Sequence, residues 1–200
     1  MKTASLEWAA ATAILAGEKE SGDRHFVRCR SDTALVAVVD GLGHGAEAAA
    51  AARVAVDTLQ EYADEPVLSL IRRCHECLRP TRGAVMSLAS FGFRDGMLTW
   101  VGVGNVAGFL LRADHRSPTE TLLLRSGVVG DQLPPLQAAV LPVAPGDVLV
   151  FATDGVRSDL AANIVVNVSL QTTADRILAK CNKGTDDALL VLARYHGILA

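Results

Sequence analysis

Aromatic residues are scarce in this 200-residue sequence, at 4% of the chain, although half of all residues are apolar and the mean hydropathy is +0.28. A hydrophobic core of ordinary size is therefore available, and valine, leucine and alanine must build most of it. No apolar run approaches the roughly 20 residues that cross a bilayer, which argues against a membrane partner. The length fits one domain that covers residues 1–200.

An excess of positive charge is also lacking. The 19 basic and 22 acidic residues give a formal net charge of −3, so the chain has no basic field of the kind that attracts phosphate backbones. We therefore exclude nucleic acid as the main partner. No helical segment carries the seam of a coiled coil, and we expect a monomer.

Cysteines are too few for a disulfide scaffold, with four in the whole chain. We predict free thiols and a cytoplasmic protein, because the apolar stretch 9–16 is flanked by acidic residues and does not fit a signal peptide. Cys74-His75-Glu76-Cys77 resembles half of a zinc site but lacks a second pair of ligands. We interpret that segment as part of a helix with core thiols and a solvated face.

One stretch, Leu35–Ala52, joins a valine-rich apolar strand to a glycine-rich turn and an alanine-rich helix. Asp40 stands where the strand ends, followed by Gly41. An Asp-Gly turn without any ligand is the alternative explanation for this segment alone. The same arrangement recurs where the apolar strand Val148–Thr153 ends in Asp154-Gly155.

The remaining pattern predicts further strands and helices. The segments Arg24–Arg30 and Leu35–Val39 form a hairpin that brings Asp23 and Asp40 to the same end of a sheet. The other predicted strands are Leu6–Ala16, Ala84–Phe93, Met97–Val103, Val106–Arg112, Leu122–Leu124, Val148–Thr153 and Ala188–Tyr195. The predicted helices are Ala46–Tyr62, Pro66–Leu78 and Thr173–Cys181, the last capped by Thr173.

Acidic residues stand at the ends of several of these apolar strands: Asp23, Asp40, Asp154 and the pair Asp186-Asp187. If the strands are neighbours, the carboxylates converge and repel one another unless cations lie between them. Ligands that are all oxygen favour Mg²⁺ or Mn²⁺ over zinc. Two such ions about 3.5 to 4 Å apart can activate water and neutralise charge on a phosphoryl group.

Five short motifs, in this order, resemble those of the metal-dependent protein phosphatases (the PPM family), within its bacterial SpoIIE-like branch. They are Ser21-Gly22-Asp23, Val39–Gly45, Val103-Gly104-Asn105, Pro145-Gly146-Asp147 with Thr153-Asp154-Gly155, and Thr185-Asp186-Asp187. The resemblance implies an α+β fold, an αββα sandwich of two antiparallel sheets flanked by helices, with two Mn²⁺ or Mg²⁺ ions in a cleft at one edge. It also implies hydrolysis of phosphoserine and phosphothreonine in proteins.

The resemblance further assigns a role to each acidic position. Asp40 would bridge both ions, and the carbonyl of Gly41 would bind one of them. Asp154 and Asp186 would hold the other ion, with Asp187 adjacent as a further candidate metal ligand. Asp23 is a candidate metal ligand and catalytic residue that would orient the attacking water.

Two positions depart from the family pattern. Many members have a histidine directly after the Asp-Gly pair, whereas this chain has Leu42 there and His44 two residues later. We therefore take His44 as the candidate acid for the leaving alcohol. The larger branch has an arginine that clamps phosphate where this chain has Glu18-Lys19-Glu20, which predicts modest affinity for small phosphate esters.

Within the branch, the small size and the segments Arg82-Gly83-Ala84 and Gly102–Val106 are most similar to a feedback phosphatase of the stressosome. This similarity implies phosphorylated STAS-domain proteins of a stressosome as substrates. Two alternatives stay open: a phosphatase that acts on an anti-sigma-factor antagonist, and a catalytically silent binding module with the same fold. The complete set of acids argues against the silent module, because an inactive copy has no need of buried like charges.

Overall fold

The computed structural model describes residues 6–114, 117–163 and 169–197. Its strands are β1 (Leu6–Ala13), β2 (Asp23–Cys29), β3 (Thr33–Gly41), β4 (Ala84–Gly92), β5 (Met97–Val103), β6 (Ala107–Leu111), β7 (Glu120–Thr121), β8 (Leu124–Arg125), β9 (Ala139–Pro142), β10 (Val148–Ala152) and β11 (Ala188–Tyr195). Its helices are α1 (Gly45–Glu61), α2 (Val67–Leu78) and α3 (Leu170–Cys181), with a 3₁₀ helix at Ser158–Asn163.

The strands form two sheets. The first has the order β1-β11-β10-β6-β7, and the second has the order β2-β3-β4-β5-β8, with β9 also paired to β5. All pairings are antiparallel except that of β5 with β8. Helices α1 and α2 cover the second sheet, and α3 covers the first. The predicted α+β sandwich of two sheets flanked by helices is therefore confirmed.

Three apolar layers hold the sandwich together. One lies between the sheets and contains most of the few aromatic side chains, including Phe91, Trp100 and Phe151. Alanines dominate the buried face of α1, with Ala51 and Ala52 fully buried against the second sheet. Because these side chains are small, the helix backbone approaches β3 closely, and this approach shapes the functional site described below.

Several predicted elements are confirmed, including the hairpin of β2 and β3 and the helices α1 and α2. Leu122–Leu124 is not a single strand, because the chain changes sheets there: β7 pairs with β6 and β8 pairs with β5. Strand β9 was missed, since its terminal Pro142 argues against an interior strand and β9 lies at a sheet edge.

Helix α3 begins three residues earlier than predicted. Its cap is Ser169, whose Oγ accepts a hydrogen bond from the Thr172 backbone N–H at 3.1 Å. Thr173 lies inside the first turn, where its hydroxyl donates to the Ser169 carbonyl at 3.1 Å. Ser169 and Thr173 are both residue types that cap helices. The helix begins after Ser169, which brings Leu170 into the apolar layer under α3.

All four cysteines are free thiols, as predicted. Cys74 is buried and donates weakly to the Ala55 carbonyl, whereas Cys77 is exposed on the same helix. His75 accepts a hydrogen bond from the Gly130 N–H at 3.0 Å through its Nδ1 atom. The segment is a helix as predicted, but of the two expected core thiols only Cys74 is buried, and Cys77 lies on the solvated face. In the described ranges, every helix is too short or too polar to cross a bilayer.

Candidate metal centre

Asp23 and Asp40 lie directly opposite each other in the register of β2 and β3, as the hairpin predicts. Asp23 is only 8% exposed, and its Oδ2 accepts a hydrogen bond from the Thr153 hydroxyl at 2.7 Å. The same hydroxyl oxygen accepts from the Leu189 N–H at 2.9 Å. Thr153 therefore ties the two sheets together at the point where the acidic residues gather.

Glycine is required after both aspartates, because backbone atoms pack where a Cβ would stand. At Gly41 a Cβ would collide with the Ala48 carbonyl of α1, and at Gly155 it would collide with the Asp187 carbonyl. Between Gly41 and α1, Gly43 and Gly45 take φ values of +87° and +72°, which other residues rarely adopt. The repeated Asp-Gly pair is thus a packing requirement that fixes Asp40 and Asp154 at the ends of β3 and β10.

Burial and neighbouring negative charge raise the pKa values of Asp23 and Asp40. Burial, followed by the charges of Asp23, Asp154, Asp186 and Asp187, raises the pKa of Asp40 to about 8. Burial also raises the pKa of Asp23 to about 7; the Thr153 hydrogen bond opposes that rise, and the nearby carboxylates add to it. The charges of Asp154, Asp186 and Asp187 reach both Asp23 and Asp40. The structure therefore brings all five sequence-predicted acids into one cluster.

Asp186 and Asp187 have different surroundings. Asp187 is 4% exposed, and its two carboxylate oxygens accept hydrogen bonds from the backbone N–H groups of Leu15 at 2.8 Å and Gly22 at 2.7 Å. Asp186 Oδ1 accepts only the Asp187 N–H, at 2.8 Å, among the described residues. Asp187 therefore anchors the chain on both sides of the turn between β1 and β2, whereas Asp186 keeps oxygen lone pairs free.

Asp154 is exposed and held from two sides. Asn105 donates from its Nδ2 to Asp154 Oδ2 at 2.9 Å, and Lys183 donates from its Nζ to the Asp154 carbonyl at 2.6 Å. Sequence reasoning did not place Asn105 or Lys183 in the site. The Gly104-Asn105 pair within the third motif was the available signal for Asn105, whereas nothing in the sequence marked Lys183.

His44 lies at the turn after Asp40 and occupies the N-cap position of α1, without a capping hydrogen bond from its side chain. Its Nδ1 is 2.6 Å from Glu18 Oε1, and its side chain is 61% exposed. Among the described residues, Glu18 is its one hydrogen-bond partner, so His44 borders the acid cluster without bonding to it. Beside it, Arg82 pairs with Glu47 and lies over Gly43.

The donor set fits hard divalent cations. In the part of the chain that the structure describes, no three His, Cys, Asp or Glu side chains already share one metal-binding position. The oxygens available are carboxylates and backbone carbonyls, which suit Mg²⁺ or Mn²⁺. Burial first, and then the neighbouring carboxylates, raise the pKa values of Asp23 and Asp40, and bound cations would offset both effects.

Comparison with known proteins agrees with this geometry. The family model described as Stage II sporulation protein E (SpoIIE) matches residues 30–196, most of the chain. The chain belongs to the SpoIIE family. Its membership confirms the resemblance to PPM-type phosphatases that the five motifs indicate, and with it the prediction of a metal-dependent phosphatase.

Individual proteins and solved structures also resemble this chain. The chain is 25% identical over 179 residues to the phosphoserine phosphatase RsbX of Bacillus subtilis (strain 168), covering 89% of each protein. A chain solved in work on the bacterial stressosome as a modular system adapted to control secondary messenger signaling is 30% identical, with a TM-score of 0.86 over 94% of this chain and 99% of that one. RsbX crystallised with magnesium has a TM-score of 0.85 at 22% identity, over 98% of this chain and 100% of that one.

Proposed function

We propose that this SpoIIE-family chain is a cytoplasmic, single-domain and monomeric phosphatase that removes phosphate from serine and threonine residues of STAS-domain stressosome proteins. The observation that carries the proposal is the convergence of Asp23, Asp40, Asp154 and Asp186 at one end of both sheets. Similarity to RsbX and to the stressosome-associated chain supports the substrate. Four reduced cysteines suit the cytoplasm.

Each acidic residue has a distinct role in this proposal. Asp40, the Gly41 carbonyl, Asp154 and Asp186 would hold two Mn²⁺ or Mg²⁺ ions. Such ions supply Lewis-acid chemistry, polarising phosphoryl oxygens and making water a nucleophile at neutral pH. Asp23, fixed by Thr153, orients the attacking water. Asp187 does not need to touch a metal ion, because its two hydrogen bonds to Leu15 and Gly22 already position the turn that carries Asp23.

The leaving serine or threonine oxygen needs a proton, and in this proposal His44 gives it. When Glu18 accepts the Nδ1–H of His44, Nε2 is the ring nitrogen that stays available for the leaving group. In many family members, the candidate acid is a histidine directly after the Asp-Gly pair. Here the pairing of Glu18 with His44 moves that role two residues along the turn.

The direct test is phosphate release from a phosphorylated STAS-domain protein with Mn²⁺, with Mg²⁺ and with EDTA. We expect release that requires the metal and that is faster than release from a phosphorylated anti-sigma-factor antagonist under the same conditions. Faster turnover of the antagonist would assign the substrate to the alternative class. A folded protein that binds Mn²⁺ but releases phosphate from neither substrate would show that the chain is a binding module.

Replacing His44 by alanine is expected to slow hydrolysis of a phosphoserine peptide by roughly 10²-fold, the usual contribution of a positioned general acid. Hydrolysis of p-nitrophenyl phosphate should change far less, because nitrophenolate leaves without a proton. Glu18→Gln should also slow hydrolysis of the phosphoserine peptide more than that of p-nitrophenyl phosphate, but by a smaller factor than His44→Ala. Rates for both substrates give the comparison, and His196→Ala, which alters another exposed histidine beside a carboxylate, is the control. Equal losses on the two substrates would contradict the acid role.

Replacing Asn105 by alanine is expected to weaken Mn²⁺ binding by about 10-fold, because groups that orient metal ligands commonly contribute that much. Asn105 is an exposed residue bonded to Asp154 Oδ2, so the melting temperature of the metal-free protein should hardly change. Titration calorimetry measures the affinity, and Gln60→Ala on α1 serves as an exposed amide control. Unchanged affinity in Asn105→Ala would remove Asn105 from the site.

A further inference from the structure

Arg24 is a half-buried arginine that no group of the described chain neutralises. It follows Asp23 on β2, and its Nε is fully buried without a hydrogen-bond acceptor. Arg72 and Arg176 also lack a partner among the described residues, but both are exposed to water. An unsatisfied buried donor costs stability, so an anion that accepted a hydrogen bond from Arg24 would remove that cost.

Arg24 lines a groove of about 450 Å³ beside the metal centre. Ser21, Asp23 and Arg53 of α1 line the same groove. The groove opens between β1 and β2, which are the end strands of their two sheets. An extended peptide can therefore enter it from solvent while another of its residues reaches Asp40.

Positive charge is in surplus in this groove. Arg53 has one acidic partner there, Glu20, at 3.1 Å, and both side chains are about half exposed. Asp23 also lines the groove, but its carboxylate bonds to Thr153 between the sheets and belongs to the metal centre. Glu20 thus pairs with Arg53 alone and leaves Arg24 without a carboxylate partner among the described residues. The planar N–H donors of the two guanidinium groups match the oxygens of a carboxylate or a phosphate.

We propose that Arg24 and Arg53 form an anion subsite that holds an oxyanion of the substrate, on a residue flanking the phosphoserine or phosphothreonine that is hydrolysed. This inference rests on the proposed phosphatase function. Because Arg24 is the neighbour of Asp23 on one strand, the flanking residue should lie about one to three positions away. The oxyanion is either an Asp or Glu side chain or a second phosphate, and both have the chemistry that the two arginines recognise.

The test uses phosphoserine peptides in which one Glu is moved through the three positions on each side of the phosphoserine, against an all-neutral peptide. We expect one position to raise kcat/KM roughly fivefold, mainly through KM, since an exposed ion pair contributes up to about 1 kcal/mol. A second series with phosphoserine in place of Glu separates the two anion sources. Arg24→Gln should abolish the preference, and Arg53→Gln should reduce it.

Arg72→Gln is the matched control, because it removes an exposed arginine that lies outside the groove, and it should keep the wild-type preference. If Arg24→Gln folds poorly, Arg24→Lys takes its place in the test. Arg24→Lys keeps the charge and most of the packing, so it should retain part of the positional preference. A wild-type enzyme without any positional preference, or a preference that survives Arg24→Gln, would overturn the subsite.

Equilibrium binding of the same peptides, followed by fluorescence anisotropy without added metal, tests the subsite independently of turnover. The Glu-containing peptide should bind more tightly than the neutral one to the wild type and equally to Arg24→Gln. Loss of turnover with this binding difference intact would count against the phosphatase proposal alone. Equal binding of both peptides to the wild type would count against the subsite alone.

Discussion

Replacing Asp40 by asparagine is expected to lower metal-dependent phosphate release by roughly 10³-fold, similar to the loss of a main electrostatic contact of a transition state. Asp40 pairs with Asp23 across β2 and β3, and Gly41 beside it is packed against α1. The carboxylate therefore cannot be replaced by movement of a neighbour. Asparagine keeps the size of the side chain but removes the charge that binds a cation.

The control for Asp40→Asn is Asp57→Asn, an exposed aspartate on α1, which should keep wild-type activity. Calorimetric titration with Mn²⁺ should show that Asp40→Asn loses at least one of the two bound ions, while circular dichroism should show an unchanged fold. If Asp40→Asn kept a substantial part of the wild-type rate, Asp40 would not bridge the ions and the metal centre would need a different assignment.

Local pattern was enough to predict the parts of the site that lie within one hairpin or one strand. A short hairpin fixes its own register, so Asp23 and Asp40 could be paired from the sequence alone. The Asp-Gly repeat at Asp154 was visible for the same reason, because a strand end followed by glycine is a local signal. The sandwich itself followed from the resemblance rather than from the pattern of apolar residues.

The remaining contacts join residues that are far apart in the chain, and no local rule predicts them. Thr153 reaches Asp23 across the two sheets, and Asp187 reaches the turn after β1 over 172 positions. The partner of His44 was hidden in the same way. In the sequence, Glu18 was noted only because it stands where the larger branch has an arginine that clamps phosphate. In the fold, Glu18 is hydrogen-bonded to the imidazole of His44.

The metal-free protein is expected to lose stability as the pH rises from 6.5 to 8.0. The folded-state pKa values of Asp40, about 8, and Asp23, about 7, are above the unfolded value of about 4. Between these limits the folded protein holds more protons than the unfolded chain, so the free energy of unfolding falls as pH increases. His25, whose pKa burial lowers, acts in the opposite direction only below about pH 6.5.

Thermal melts in EDTA should therefore give a melting temperature roughly 5 °C lower at pH 8.0 than at pH 6.5. Saturating Mg²⁺ should remove most of this difference, because cations replace the protons that the carboxyls otherwise keep. Asp40→Asn should flatten the pH dependence in EDTA and raise the melting temperature at pH 8.0, even though it abolishes activity. A metal-free melting temperature that stays level or increases toward pH 8.0 would mean that the acids are better solvated than their burial indicates. The burial and mutual repulsion of these carboxylates, which lower the stability of the metal-free protein at high pH, are therefore also what favours the binding of cations.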